Sequence, residues 1–232
     1  MARQSSDHPG TEVAASTKGP KSAVAASLVE NLLQVGIDGK GPFDSASEVA
    51  DAALAKHKGN ADKAIKEVQR SHLKLVAGNG FITGLGGFIV LPVAMPANIL
   101  GFYVVATRMA AAVAKLRGYD ITDPAVRSAV LLSLVGADAA EILGKAGLVA
   151  PSGKVTSMAL KQLPGPALMV VNKAIGFRLV TKAGSSALTR FGKYIPVVGG
   201  GIGASVDSWM YNQIATNVKQ EFPRTDRIVT QS

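Results

Sequence analysis

The stretch "GNGFITGLGGFIVLPVAMPANILGFYVVATRMAAAVAKLRGYD", Gly78 to Asp120, decides the fold because it contains the longest apolar part of the chain. No charged residue occurs from Leu75 to Thr107, a run of 33 residues. Such a run is long enough to cross a bilayer, yet Pro92 and Pro96 interrupt it. The segment therefore has three possible roles: a membrane span, a buried core or a contact with a membrane surface.

The second half of this stretch has the pattern of a long helix from Ala97 to Arg117. Pro96 precedes it and Gly118 follows it, as is usual at helix starts and ends. At ~1.5 Å per residue the helix would be about 30 Å long, which is enough to cross a bilayer. Arg108 near its centre would cost roughly 2.5–3.5 kcal/mol on insertion, and each good apolar residue returns only about 0.3–0.6 kcal/mol. A buried core or a reversible membrane contact is therefore favoured, and an integral membrane subunit is the alternative.

Amphipathic helical patterns precede the apolar stretch. Apolar residues recur at helical spacing over 21–36. Asp44 or Ser45 can cap a second helix, and Ser45 with Glu48 fits a capping box. Asn60 can cap a third helix that ends near 77. These segments predict an ordinary helical part of a globular domain.

The chain after the apolar stretch has further helix signals. Asp123 predicts the start of a helix that runs to Lys145, and the uncharged residues 128–137 within it predict full burial. Further helices are predicted near 155–162, 166–183, 185–192 and 201–222. No alternating apolar pattern and no hairpin turn indicates a strand. The sequence therefore predicts an all-α fold, a single multi-helix domain rich in glycine and alanine.

The predicted domain covers 21–222, with an amphipathic part at 21–77 and an apolar helical core at 78–222. Residues 1–20 predict a disordered polar tail, and 223–232 predict a C-terminal tail. The N-terminal residues lack the apolar segment of a secretory signal, and the chain has no cysteine for disulfides or thiol catalysis. We therefore expect a cytoplasmic protein.

Glycines at short helical spacing predict close packing between helices, because they give a helix a smooth face. Three of them, Gly80, Gly84 and Gly87, lie in the apolar stretch, and two more are Gly199 and Gly203. The later pair lies in "VVGGGIGA", which loosely matches a dinucleotide fingerprint, but no second parallel strand follows it. We expect no nucleotide or other cofactor.

The formal charge of +9 is unevenly placed along the chain. Region 142–206 contains no acid, and its cations are Lys145, Lys154, Lys161, Lys173, Arg178, Lys182, Arg190 and Lys193. Cations interspersed among apolar helices are more typical of a membrane interface than of a nucleic-acid binder, which usually has a dense basic stripe. Each cation near anionic lipid is worth about 1 kcal/mol, so half of them would supply roughly 4 kcal/mol. The pattern predicts contact with anionic membrane lipid and no nucleic-acid partner.

Charged residues in apolar helices need partners, because burying an unpaired charge is costly. Arg108, Asp138 and Asp207 are predicted to form structural ion pairs, with Arg108 bound to Asp207 or Asp138. Asp138 and Glu141 lie three residues apart on one helix face, so with Asp207 they are candidates for acid–base catalysis. These carboxylates define an alternative function, the hydrolysis of a lipid or a peptide.

The histidines do not indicate a metal site. His57 and His72 lie on polar helices without carboxylates at ligand spacing. Both are expected at the surface, and no metal is expected to bind the protein.

Five long segments carry a resemblance to a known family. They are "GIDGKGPFDSASEVADAAL" (Gly36–Leu54), "GFITGLGGFIVLPVAMPANI" (Gly80–Ile99), "RMAAAVAKLRGYDITDPAVR" (Arg108–Arg127), "LPGPALMVVNKAIGFRLVTKAG" (Leu163–Gly184) and "FGKYIPVVGGGIGASVDSW" (Phe191–Trp209). In this order they resemble the EcsC family over about residues 21–222. The family takes its name from a protein encoded beside the ATPase and membrane subunits of an ABC transporter. The resemblance therefore implies one helical domain with an accessory role in transport or secretion, and it carries over no catalytic residue and no cofactor.

These observations predict a non-enzymatic protein that binds reversibly to the inner face of a membrane. The expected partners are anionic lipid or a membrane transporter, and the oligomeric state is left open. The eight cations of region 142–206 are the residues expected to face the lipid.

Overall fold

A computed structural model describes the backbone of residues 20–77, 97–148, 160–191 and 199–225, and the side chains of 21–77, 99–148, 160–182 and 207–225. Within these ranges the chain forms helices and no strand, so the predicted all-α fold is confirmed. The helices are α1 (Pro20–Asn31), α2 (Ala46–Lys56), α3 (Ala61–Ala77), α4 (Ala97–Leu116), α5 (Pro124–Val135), α6 (Ala139–Lys145), α7 (Gly165–Phe191) and α8 (Gly199–Glu221). A π-helical turn, Leu32–Ile37, extends α1, and a 3₁₀ turn, Gly136–Asp138, joins α5 to α6.

Some predicted features lie outside the described residues. They are the N-terminal tail up to residue 19, the helix over 81–91, the packing glycines Gly80, Gly84 and Gly87, and the side chains of Lys154, Arg190 and Lys193. Gly199 and Gly203 lie in the backbone of α8, but their surroundings are also outside the described residues, so their role in packing stays a prediction.

Three predicted helix starts are confirmed by their hydrogen bonds. The hydroxyl of Ser45 accepts a hydrogen bond from the backbone N–H of Glu48, and the Glu48 carboxylate accepts one from the N–H of Ser45. Asn60 Oδ1 accepts a bond from the N–H of Lys63 at 3.0 Å. Asp123 accepts one from the backbone N–H at the start of α5. These caps satisfy backbone donors that have no partner inside the helix.

Helix α4 forms the centre of the described fold. It contacts α2, α3, α5, α8 and the π-helical turn, and its residues Val104 to Ala114 are almost fully buried. Ile99–Leu116 is the one segment of the described helices that is long and apolar enough to cross a membrane, with a mean hydropathy of 1.5. Because 89% of that segment is buried against the rest of the chain, its apolar surface is used in packing between helices.

The helix predicted from Asp123 to Lys145 is interrupted at Gly136. That residue adopts φ +62°, a conformation in which glycine has no steric penalty, and the chain turns there into α6. Full burial was predicted for 128–137, but burial ends at Val135, and Ala137 is exposed because it lies in the turn. The two helices predicted at 166–183 and 185–192 instead form one helix, α7. A glycine inside a helix costs only about 1 kcal/mol, so Gly184 did not have to end it.

The C-terminal end of the described chain is anchored to the bundle. Phe222 is fully buried and stacks edge-on against Tyr119. The hydroxyl of Thr225 donates a hydrogen bond to the backbone carbonyl of Arg117 at 2.8 Å. The packed part of the chain therefore extends at least three residues past the boundary predicted at 222.

Candidate functional site

Helix α7 has one buried face and one exposed apolar face. The buried face consists of Leu168, Val171, Ile175 and Leu179, at the spacing of successive helical turns. The opposite face, called here the outer stripe, consists of Pro166, Met169, Val170, Lys173, Phe177 and Thr181. Met169 is 70% exposed, Val170 61% and Phe177 50%. Large apolar side chains that lie together in solvent usually mark a contact with another molecule or a membrane.

A groove runs between α1 and α7 and opens on the outer stripe. Its volume is about 1070 Å³. Helix α1 lines it with Ser22, Ala23, Ala26, Val29 and Glu30, the π-helical turn with Leu33 and Gln34, and α7 with Pro166, Met169, Val170, Asn172 and Lys173. Apolar side chains therefore form most of the groove. Small side chains on α1 leave the space that larger ones would fill.

Polar groups in and beside the groove form two sets of hydrogen bonds. Arg127, which also lines the groove, makes two hydrogen bonds of 2.7 Å to the carboxylate of Asp38. Gln34 Nε2 donates a bond to the Glu30 carboxylate at 2.9 Å, and the Lys40 ammonium donates one to Gln34 Oε1 at 2.8 Å. Each set contains one cation and one carboxylate, so the two sets together carry no net charge.

Most of the described cations from region 142–206 are salt-bridged to carboxylates. The pairs are Lys145 with Glu141 at 2.8 Å, Lys161 with Asp123 at 3.1 Å, Arg178 with Asp138 at 2.7 Å and Lys182 with Asp138 at 2.5 Å. Acids from outside the acid-free segment fold against these four cations and offset their charge, and the expectation that the four face lipid stays a prediction. Lys173 makes no salt bridge to an acid among the described residues, and it lies in the groove.

The carboxylates proposed as catalysts are part of this ion-pair network. Hydrogen bonds from Arg178 and then Lys182 hold the pKa of Asp138 far below its ordinary value. The pKa of Glu141 is lowered mainly by its bond from Lys145. Both groups are therefore carboxylates that carry no proton to donate near neutral pH.

Asp207, the third candidate carboxylate, lies on α8. Asn217 of that helix donates a hydrogen bond to the carbonyl of Ser133, near the turn that contains Asp138. Asp207 precedes Asn217 by ten residues. That spacing is about 15 Å at ~1.5 Å per residue. Asp207 therefore lies almost three helical turns from the residue of α8 that contacts the end of α5.

The buried arginine of α4 has other partners than those predicted. Arg108 is 5% exposed and donates a hydrogen bond to the carbonyl of Val35 at 3.2 Å. Its guanidinium lies 5.0 Å from the centre of the Phe43 ring, and Asp44 is the acid that raises its pKa against the larger lowering effect of burial. Among the described residues it forms no ion pair with Asp138 or Asp207, so this predicted pairing is wrong as far as the structure describes it. The reason is that Arg108 faces the connection between α1 and α2.

The predicted surface position of His72 is also wrong. The side chain is 4% exposed, and its Nδ1 lies 2.8 Å from the carbonyl oxygen of Val68. Burial, together with the nearby charge of Arg108, lowers the pKa of His72 from 6.5 to about 4. Ala64, Val68 and His72 lie four residues apart, so they share one face of α3, and that face is buried. This spacing is the sequence signal that could have identified His72 as a buried residue.

Two close-packing glycines were not singled out from the sequence. A Cβ on Gly36 would come within 2.9 Å of the Thr107 side chain, and one on Gly176 would overlap the carbonyl of Ala25. These positions bring the π-helical turn against α4 and α1 against α7. Neither belongs to the glycine pairs that the sequence patterns indicated.

Within the described residues no group of three or more His, Asp or Glu side chains is arranged to hold a metal ion. The outer stripe and the groove are features of the described residues that could contact another molecule. No curated protein and no solved structure matches the chain. The model of the EcsC protein family matches residues 21–224, which is most of its length. The chain belongs to the EcsC family.

Proposed function

We propose that this protein is a non-enzymatic, peripheral membrane protein of the cytoplasm that associates reversibly with anionic lipid through the outer stripe of α7. We further propose that it serves a membrane transport or secretion system as an accessory component. The second part of the proposal rests on the family resemblance. The first part rests on the exposed side chains described above.

The observation that carries the proposal is the exposure of Met169, Val170 and Phe177 on one helix face. Full burial of a side chain of this size is worth about 1.5–3 kcal/mol, so partial insertion of three supplies several kcal/mol. A helix that lies in the plane of the membrane interface buries its apolar face to this depth. The apolar stripe thus supplies the main part of the expected affinity.

Electrostatic attraction supplies a smaller part of the expected membrane affinity than the charged residues of the sequence indicated. Lys173 lies within the outer stripe, one helical turn from both Met169 and Phe177, so it would meet lipid headgroups as the apolar side chains insert. It is worth about 1 kcal/mol near an anionic surface. The net charge of +9 adds a longer-range attraction that salt screens.

Vesicle flotation tests the proposal. The purified protein is expected to float with vesicles of phosphatidylglycerol and phosphatidylcholine in equal parts. The variant M169D/F177D is expected to float at least about tenfold less, because each carboxylate must be desolvated to insert. Leu75→Asp is the matched control, since Leu75 is an exposed apolar residue of α3 outside the stripe.

The control variant is expected to float like the unmodified protein, and all three proteins are expected to melt at similar temperatures. Failure of the unmodified protein to float would contradict the proposal. Equal flotation of M169D/F177D and Leu75→Asp would show that the outer stripe is not the contact surface.

A further inference from the structure

We propose that the groove between α1 and α7 binds one acyl chain of an anionic phospholipid, with the phosphate of its headgroup beside Lys173. This inference rests on the proposed membrane association, because the groove opens on the same outer stripe that would meet the bilayer. It adds a defined ligand to what would otherwise be a contact with the membrane surface alone.

The shape of the groove fits an extended hydrocarbon chain. Its lining on α1 and the π-helical turn runs from Ser22 to Gln34, twelve positions along the chain. That distance is about 18 Å at ~1.5 Å per residue. The volume of about 1070 Å³ is at the upper end of ordinary small-molecule sites. A long, narrow apolar ligand fills such a space better than a compact one.

Small side chains create the groove beside a tight helix contact. Ala23 and Ala26 are exposed on the groove side of α1, while Ala25 on the neighbouring face packs against Gly176 of α7. The helices are therefore held together along one line and leave an open channel beside it. Val29 of α1 and Leu33 of the π-helical turn continue the apolar lining.

The charge distribution favours an anionic headgroup at Lys173. This lysine is half-buried at the groove and makes no salt bridge to an acid within the described residues. Arg127, which also lines the groove, is held by Asp38, and the Glu30 carboxylate of the lining accepts a hydrogen bond from Gln34. Among the cations that line the groove, Lys173 is thus the one without a salt bridge to a described residue, and it lies where the groove opens on the outer stripe.

Calorimetric titration with monomeric lysophosphatidylglycerol tests the inference separately from membrane association. Lysophosphatidylcholine with the same acyl chain is the neutral comparison, and both are used below their critical micelle concentrations. The unmodified protein is expected to bind one lysophosphatidylglycerol. The variant Ala26→Trp, which fills the groove from an exposed position, is expected to bind it at least about tenfold more weakly and still to float with vesicles. Ala52→Trp, at an exposed site of α2, is the matched control.

Removal of the lysine charge tests the position of the headgroup. Lys173→Gln is expected to weaken lysophosphatidylglycerol binding about fivefold and to leave lysophosphatidylcholine binding unchanged. Lys66→Gln, at an exposed position of α3, is expected to change neither.

The outcomes separate the two proposals. Unchanged binding in Ala26→Trp would overturn the groove inference and leave the membrane association standing, provided that the protein floats. Binding of lysophosphatidylglycerol without flotation would contradict the membrane association alone. If light scattering shows a dimer that Ala26→Trp dissociates without lipid, the groove is occupied by a second copy of the chain and the inference is wrong.

Discussion

Gly176 of α7 lies directly against Ala25 of α1, so close that a Cβ on the glycine would overlap the alanine carbonyl oxygen and come within 2.9 Å of a methyl group of Val29. The contact fixes how α1 and α7 lie beside each other, and hence where the groove opens. Interiors are packed at high density, and a backbone atom in contact cannot easily move aside.

Gly176→Ala is therefore expected to destabilise the fold by about 1–3 kcal/mol, as overpacking of a core usually does. Urea unfolding monitored by circular dichroism measures the change. Gly144→Ala is the matched control, because Gly144 is helical and no atom lies within 4 Å of a Cβ placed there. The free energy of unfolding of Gly144→Ala is expected to rise by about 0.5–1 kcal/mol, because alanine has a better helix propensity than glycine. If Gly176→Ala leaves the free energy of unfolding unchanged, α1 and α7 can move apart with little loss of stability.

Asp138 connects α6 to α7 by accepting bonds from both Arg178 and Lys182. Asp138→Asn is expected to lower the free energy of unfolding by about 1 kcal/mol near pH 7, more than most exposed pairs contribute, because this side chain is only 18% exposed. Asp51→Asn, which removes the 62% exposed partner of Lys115, is the control and is expected to cost less.

The effect of Asp138 depends on pH in a defined direction. Its folded-state pKa is depressed below the ordinary value of 3.8, so the unfolded chain binds the proton more readily. The stabilisation is therefore complete above that ordinary value and is lost as the pH falls toward the folded-state pKa. The difference between the unmodified protein and Asp138→Asn should be constant from about pH 5 to pH 7 and should shrink in stronger acid. An unchanged difference in strong acid would contradict the ion-pair explanation.

His72 gives the fold a second sensitivity to acid, at higher pH. Burial lowers its pKa from 6.5 to about 4, so between these values the unfolded chain binds a proton that the folded chain excludes. Stability from this source is complete above the unfolded-state pKa and falls as the pH drops through that window, by up to about 3 kcal/mol. The charge of Arg108 on α4 acts in the same direction.

His72→Gln is expected to reduce this loss of stability on acidification, as measured by urea unfolding at about pH 7 and about pH 5. His57→Gln is the matched control, because the His57 side chain remains 25% exposed beside Glu67. If the free energy of unfolding of His72→Gln falls between these pH values as steeply as that of the unmodified protein, another group causes the acid sensitivity.

The sequence predicted local structure better than the contacts between distant elements. The caps at Ser45, Asn60 and Asp123 could be identified because a cap depends on residues within one helical turn. The pairing of Arg178 with Asp138 joins residues 40 positions apart, and no local pattern encodes it. For the same reason the contact of Arg108 with Val35 and Phe43 was assigned to the wrong partners.

The candidate site was also misjudged from charge alone. Region 142–206 contains no acid, so its cations looked uncompensated, but Asp123, Asp138 and Glu141 lie just before it in sequence and fold against it. The exposed apolar face of α7 could not be separated from a buried one, because helix periodicity does not say which face another helix will cover. The groove depends on the positions of both α1 and α7, which the sequence left undefined.

The ion pairs of region 142–206 predict how the proposed membrane attachment should respond to salt. Since four of the five described cations from region 142–206 are bonded to carboxylates, screening has little uncompensated charge to weaken there. Flotation with phosphatidylglycerol-containing vesicles is therefore expected to weaken only a few-fold between about 0.1 M and about 0.5 M NaCl. The variant M169D/F177D is expected to float poorly even at the lower salt concentration, because it lacks the apolar contact. Complete loss of flotation at the higher salt concentration would instead show that charge alone holds the protein to the membrane, and that the outer stripe does not insert.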